Sequence, residues 1–461
     1  MLNVILFITS CALYLISPYQ YDGTIIVGDL LLFLIGTIKI LCKNRKDFNI
    51  LSFNSIFLLS FFFCTYSYAL FVIGTGVEFS MTIFGFTDFN YITKSISLST
   101  IAITAYFGGY QGYHRKIKQC RNLREYIDTS KTKIIRFIRI ILAFCVVANA
   151  LLFLASGNDS AAITTAAFIP ELYKIFLIIY LLMIIIRRSY EEHNLKNFIL
   201  ANKFVIIESS ILCFLYLIVG DRGLPISIVF IFLGVYSLYY KKIQLSQFAI
   251  LAIIGSTFLF AIRVTRASDN SLANGGISAV ASATTQSLSG QSAVLIFSDL
   301  MGTSSELCLG YEYVDKFGLQ YPGKIILIPL YPFPLLPSIT AQLIWGKVPY
   351  DLAASSILND YIGKSYGYNS SLGNHIVADI YIHWGLLGVI IMFLIFGKFI
   401  GYLDKNKYSN FLVSAIYIFA LSYALYLPRD SMLTLVRPTF FIFLIFVCFK
   451  LSTCNKNICV K

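Results

Sequence analysis

The chain has 461 residues, is 57% hydrophobic and only 13% charged, and has a mean hydropathy of +0.76. That excludes an ordinary soluble domain, in which about a quarter of residues are charged. The net charge of +13 is not arranged as a basic stripe with interleaved aromatics, so a nucleic-acid partner is excluded as well.

Apolar runs of about 17–22 residues recur along the chain, each long enough to cross the hydrocarbon core of a bilayer. Backbone polar groups in lipid must be satisfied within the segment, and the runs do not alternate as barrel strands do, so helices are predicted. Twelve spans are expected, at 2–17, 24–42, 51–73, 96–113, 134–155, 171–186, 204–219, 225–240, 245–262, 380–397, 411–427 and 437–451. Residues 1–17 have neither a basic n-region nor a small-residue cleavage site, so a retained first helix is expected, not a signal peptide. The Gly108-Gly109-Tyr110-Gln111-Gly112 cluster that closes the fourth span reads as helix packing.

Lysine and arginine set the orientation. With the N-terminus in the cytoplasm, the inner loops and adjoining span ends hold 25 of the 36 basic residues, leaving 11 outside, although the outer face carries the longest loop. The expected fold is therefore an all-α, polytopic membrane protein with about 12 transmembrane helices and both termini inside. Residues 1–262 hold helices 1–9, 263–379 form one large periplasmic loop, and 380–461 hold helices 10–12 and a cytoplasmic tail.

The loop divides unevenly. Residues 267–304 are small and sparsely charged. Residues 322–346 are apolar but contain Pro329, Pro332, Pro334 and Pro337, so an interfacial or re-entrant segment is expected there in place of a span. Residues 347–379 carry Asp351, Asp360, Lys364, Tyr366, Tyr368, Asn369, His375 and Asp379, groups suited to hydrogen-bonding sugars. Of the ten cysteines only Cys308 is in the loop, so no disulfide forms within it. No Asp-x-Asp or His/Cys cluster suggests a metal, and no cofactor motif is present.

Five arginines lie at outer span ends, against the positive-inside bias: Arg222, Arg263, Arg266, Arg429 and Arg437. Singly, each is a helix-end anchor reaching the headgroups. Together they suit an anionic headgroup, because the planar guanidinium binds phosphate with two donors at once. Asp221 and Asp430 each neighbour one of them, either as a local ion pair or as an orienting carboxylate. His375, just before span ten, is the leading candidate for a base, with Asp379 and Asp360 behind it; His383 reads as a satisfied bundle histidine.

The layout of helices, with one large outer loop late in the chain, resembles the bacterial O-antigen polymerases (Wzy-type oligosaccharide repeat-unit polymerases) and their relatives the O-antigen ligases. Local pattern agrees: the Asp221-Arg222-Gly223 turn at an outer span end, and His375 followed by Gly385-Leu386-Leu387-Gly388 in the next span. The resemblance implies a GT-C-like glycosyltransferase of the bacterial inner membrane that joins undecaprenyl-pyrophosphate-linked oligosaccharide repeat units, with membrane lipid and a chain-length regulator protein as partners. The outer arginines would hold the pyrophosphate and a base near the loop would deprotonate the acceptor. The alternatives are an O-antigen ligase and a lipid-linked oligosaccharide flippase or other transporter. Against a transporter, no inverted repeat is present, and Asp29 and Glu208 are the only acids well inside spans.

Overall fold

The computed structural model describes residues 1–43, 49–70, 91–111, 132–156, 168–187, 195–219, 221–244, 246–249, 302–333, 336–349, 351–366, 373–408 and 410–458. Among the described residues the chain is helical and has no strand. The helices are α1 (Leu2–Ile16), α2 (Gly23–Lys43), α3 (Phe53–Thr65), α4 (Ile92–Gln111), α5 (Thr132–Ser156), α6 (Phe168–Arg187), α7 (Leu195–Val219), α8 (Gly223–Tyr239), α9 (Thr303–Phe317), α10 (Leu336–Trp345), α11 (Ala354–Tyr366), α12 (Ile376–Asn406), α13 (Phe411–Tyr423) and α14 (Val436–Ile458). Every expected span but one falls on a helix; of 245–262 only 246–249 are described. Six helical stretches are long and apolar enough to cross a membrane: Gly23–Cys42, Lys133–Ala155, Phe168–Ile186, Leu195–Leu217, Ile376–Asn406 and Met432–Lys450. Four more apolar helices, α1, α3, α8 and α13, are shorter, so six of the twelve expected crossings are supported by length and composition among the described residues. The protein is a multi-pass membrane protein.

The helix at the centre is α4, which packs on α1, α2 and, most extensively, α12. It is the polar one: Thr93, Ser95, Ser97, Ser99, Thr100 and Thr104 are all buried. Hydroxyls and amides in a low-dielectric bundle must find partners. Several do so across α1 in an antiparallel ladder, with Asn3 Nδ2 donating to Phe107 O at 2.7 Å, the Ser10 and Thr104 hydroxyls 2.8 Å apart, and those of Ser17 and Ser97 2.7 Å apart. Ser97 donates onward to Asp29 of α2 at 2.6 Å. The backbones of α4 and α12 touch: a Cβ on Gly109 would lie 2.0 Å from Leu394 O, and one on Gly397 2.2 Å from Tyr106 O. Gly109 thus has the packing role expected of its cluster, whereas Gly108 faces open space.

The α12 helix is broken at Gly385, whose φ of 62° and ψ of −162° belong to a region open essentially to glycine alone. The first glycine of the Gly385–Gly388 pattern therefore sets off a short leading segment, 376–384, from the long helix behind it. That segment carries Asp379, Tyr381 and His383.

The proline-rich stretch forms no continuous span. A 3₁₀ helix, Pro322–Leu330, is followed by a turn and then the ten residues of α10, whose Ile339, Leu343 and Ile344 are exposed. The 3₁₀ helix, together with α9 and α11, packs against α12, its Pro322 carbonyl accepting from Trp384 Nε1 at 3.1 Å, and α10 packs on the 3₁₀ helix.

Candidate functional site

The site is assembled around the turn between α13 and α14. Pro428 cannot continue the α13 hydrogen-bond ladder, and two 3₁₀ turns follow, Leu427–Arg429 and Met432–Leu435. Ser431 links them: its Oγ accepts from Leu433 N–H at 3.2 Å and donates to Asp379 Oδ2 at 2.6 Å. Asp430 is folded back on the same turn, its Oδ1 accepting from Ser431 N–H at 2.7 Å. Burial pushes the Asp430 carboxyl up to about 7, with Asp379 adding to the rise and Ser431 N–H and the Lys174 charge opposing it.

Arg429 lies within the field of Glu306, a residue of α9 that is only 5% exposed. The α9 helix reaches it because Ser304 Oγ donates to Cys64 O at 2.8 Å, pinning the start of α9 to the end of α3. Burial raises the Glu306 carboxyl to about 8, while Arg429 and the Gly373 N–H, which donates to it, pull it back. Its Oε2 is buried without a hydrogen-bond partner among the described residues. A cation within the field of an acid that has a spare acceptor can bind an anion while the acid takes a proton.

His375 is wholly buried and caps α12. Its Nδ1 accepts from Val377 N–H at 3.2 Å, so the ring proton of the neutral form is on Nε2, which faces Thr65 Oγ1 at 3.3 Å. Burial lowers its pKa to about 3, so the ring stays neutral. Both nitrogens are engaged within the fold, an arrangement that holds α12 against α3.

Asp379 sits one turn further on. Besides Ser431, it has the Lys324 ammonium 3.9 Å from Oδ1. Lys324 is almost fully buried and is pushed below the usual lysine range by that burial, Asp379 opposing. It is also 2.9 Å from His383 Nε2. Because His383 Nδ1 is 2.7 Å from the Gln320 carbonyl and must donate to it, Nε2 accepts from Lys324. This is the satisfied bundle histidine expected from the sequence.

The remaining expected residues divide. Arg222 starts α8 beside the same turn, its carbonyl 3.4 Å from Tyr426 OH. Lys174 of α6 is buried, donates to Tyr423 OH and stands in the field of both Asp221 and Asp430, so it holds the two arginine turns together. Asp221 also accepts from Gly223 N–H at 2.7 Å. The Arg437 guanidinium stacks on Phe168 at 5.0 Å, near Glu171, as a helix-end anchor would. Asp360 is not brought to the site: its side chain is 66% exposed on α11 and pairs with Lys364 at 2.6 Å. Arg263 and Arg266 lie outside the described residues. Among the described residues no group of three or more His, Cys, Asp or Glu is placed to hold a metal.

Glu306, Lys174, Lys324 and Ser431 were not singled out by sequence reasoning. Two of them carry a signal nonetheless: Lys174 is a charge inside an expected span, and Glu306 is a lone acid in Thr303-Ser304-Ser305-Glu306-Leu307-Cys308-Leu309-Gly310.

A family model described as O-antigen polysaccharide polymerase Wzy matches residues 1–457. No curated protein and no solved structure matches. With a match over essentially the whole chain, this protein belongs to the O-antigen polysaccharide polymerase Wzy family and serves O-antigen polymerisation.

Proposed function

We propose that the chain polymerises undecaprenyl-pyrophosphate-linked oligosaccharide repeat units at the periplasmic face of the inner membrane. The observation that supports this reading is the buried Glu306 carboxyl within the field of Arg429, a proton acceptor and a cation on a polymerase-family scaffold. In the transfer, the acceptor sugar's hydroxyl oxygen attacks the anomeric carbon of the growing chain. The carbon–oxygen bond to pyrophosphate breaks with its electron pair, and the hydroxyl proton goes to a base.

Arg429, with Arg222 on the adjoining turn, is assigned to the pyrophosphate, where charge builds as the bond breaks. Fixed donors aimed at developing charge act without reorganisation. Arg263 and Arg266 are assigned to the same group by their place at the end of span nine, and Arg437 to anchoring. The proton is assigned to Glu306, with Asp379 second. A carboxylate raised toward neutrality accepts a proton better than one at its ordinary value. His375 is assigned to positioning, since neither ring nitrogen is free, and Asp360 to the surface of α11. Grooves between the helices would hold the polyprenyl tails, and a chain-length regulator protein would meet the complex from the membrane.

The test is glycan analysis in a strain deleted for this gene and complemented with the chain. A single-repeat band in the deletion and a restored ladder on complementation support the reading. Absence of any repeat in the deletion points to a ligase or flippase and overturns it.

A further inference from the structure

The polymerase reading uses only one end of α9. The other end carries a second cluster. Asp315 is nine residues beyond Glu306, two and a half turns, so it faces the opposite side of the helix and lies about 13 Å further along. Asp315 is exposed. The Tyr19 hydroxyl, from the end of α1, is 3.4 Å from its Oδ1, and the Tyr91 hydroxyl, at the start of α4, is 3.4 Å from its Oδ2. These two rings meet edge to face at 5.6 Å and both rest on Tyr311, which stacks on Tyr381 of α12 at 5.2 Å and 9°.

Two tyrosines from separate elements therefore reach one carboxylate, backed by the ring stack of Tyr311 and Tyr381. The neighbouring lysine does not neutralise it, because Lys316 is taken by Glu312 at 2.5 Å. Glu312 also accepts from Tyr361 and Tyr366 through Oε1, while its buried Oε2 has no hydrogen-bond partner among the described residues. Tyrosines that only anchor a helix in the headgroup layer point outward singly. These converge on an acceptor whose two contacts are long, so both oxygens keep lone pairs for further donors. Aromatic faces beside an exposed carboxylate match a sugar, which presents apolar C–H faces to rings and hydroxyl donors to oxygens.

We propose that Asp315, Tyr19 and Tyr91, seated on Tyr311, form a sugar-binding subsite. It holds a residue of the glycan away from the bond being made. The proposal rests on the polymerase reading for the class of its ligand. The distance from Glu306 separates this sugar from the reacting one, so the subsite contributes to grip and not to chemistry.

The test uses the purified full chain with lipid-linked repeat units, measuring initial rates and product length for the parent, Asp315→Asn, Tyr19→Phe and Tyr91→Ala. The expected result is a KM raised roughly five- to tenfold in Asp315→Asn, the scale of one lost hydrogen-bonding partner. kcat should stay unchanged and the product should be shorter. The lipid-free repeat oligosaccharide should compete with substrate for the parent and lose that ability against Asp315→Asn. Parent-like KM and product length in Asp315→Asn, or a fall in kcat alone, overturns the subsite. Tyr19→Phe keeps the ring and the fold, so a parent-like KM there together with a parent-like KM in Asp315→Asn has the same meaning. A parent chain with no activity on repeat units overturns the polymerase reading instead, a separate outcome.

Discussion

The charge of Arg429 acts on the buried carboxyl of Glu306, although one stands on a 3₁₀ turn between two apolar helices and the other on a helix of the large loop. Glu306 keeps one buried oxygen without a hydrogen-bond partner among the described residues. Burying such an oxygen costs free energy unless something later satisfies it. An incoming hydroxyl would do so, which makes the pair the focus of the experiments that follow.

Arg429→Ala is expected to lower the initial rate on lipid-linked repeat units by about 10²–10³-fold, the scale of one lost preorganised donor. Arg429→Lys should recover little, because a point charge lacks the two-donor geometry. Arg222→Ala is expected to act in the same direction, and Arg437→Ala to lose less than tenfold, consistent with its stacking on Phe168. Normal glycan ladders from both Arg429→Ala and Arg222→Ala would remove the clamp.

The base is assigned by rate and by pH. Glu306→Gln is expected to cost ~10²–10⁴-fold, and His375→Asn, which preserves a capping side chain, about tenfold or less. The carboxyl of Glu306 titrates near 8 and must be ionised to accept a proton. The parent's rate should therefore climb from pH 6 and level off above pH 8, and Glu306→Gln should lose that climb. A parent profile flat between pH 6 and 9 would transfer the role to Asp379, to be checked with Asp379→Asn.

The same group sets a stability window. Its folded value, about 8, is above the unfolded one of 4.5, so the folded state binds the extra proton between them. Glu306 thus favours folding at low pH, and that contribution is lost as pH rises from 4.5 toward 8. In detergent, the melting temperature of the parent relative to Glu306→Gln should fall across that interval. A constant difference would mean that the carboxyl is not buried as described.

The sequence carried the architecture further than the site. Spans such as 134–155 and 380–397 follow from apolarity alone, and α5 and α12 occupy them. Span 96–113 is a different case: α4 is kept inside the bundle by paired hydroxyls such as Ser97 with Asp29, which hydropathy undervalues. Outlying arginines pointed to the 427–430 turn, because a charge on the wrong face of a membrane is conspicuous. Glu306 was not conspicuous, being one acid in a loop already expected to be polar, and only its burial distinguishes it. His375 was found for its position at the loop's end, but position does not reveal that its Nδ1 caps a helix.

Orientation is tested by labelling on a cysteine-free background. A probe at Asp360, exposed on α11, should react with a membrane-impermeant reagent added outside, and a probe at Ser130, in a basic loop, should not. The expectation follows from the lysine and arginine asymmetry. The opposite pattern would invert the membrane placement of the site.

Gly385→Ala tests whether the break in α12 is needed. At φ 62° and ψ −162° an alanine Cβ is strained whatever the space around it, and the nearest atom, Leu319 Cδ2, is an ordinary 3.5 Å away, so the cost is conformational and not a clash. Such backbone strain is on the order of 1–3 kcal/mol. If the segment straightens to avoid it, Asp379 and His383 move relative to Ser431 and Lys324, and activity falls while the protein still accumulates. If the segment keeps its shape, the protein melts several degrees lower and retains its rate per folded molecule. A substitution that changes neither stability nor rate would show that the break does not position the site. Gly109→Val supplies the contrasting case. Its Cβ would sit 2.0 Å from the Leu394 carbonyl oxygen, backbone against backbone, so α4 and α12 would separate and the membrane fraction should hold little protein.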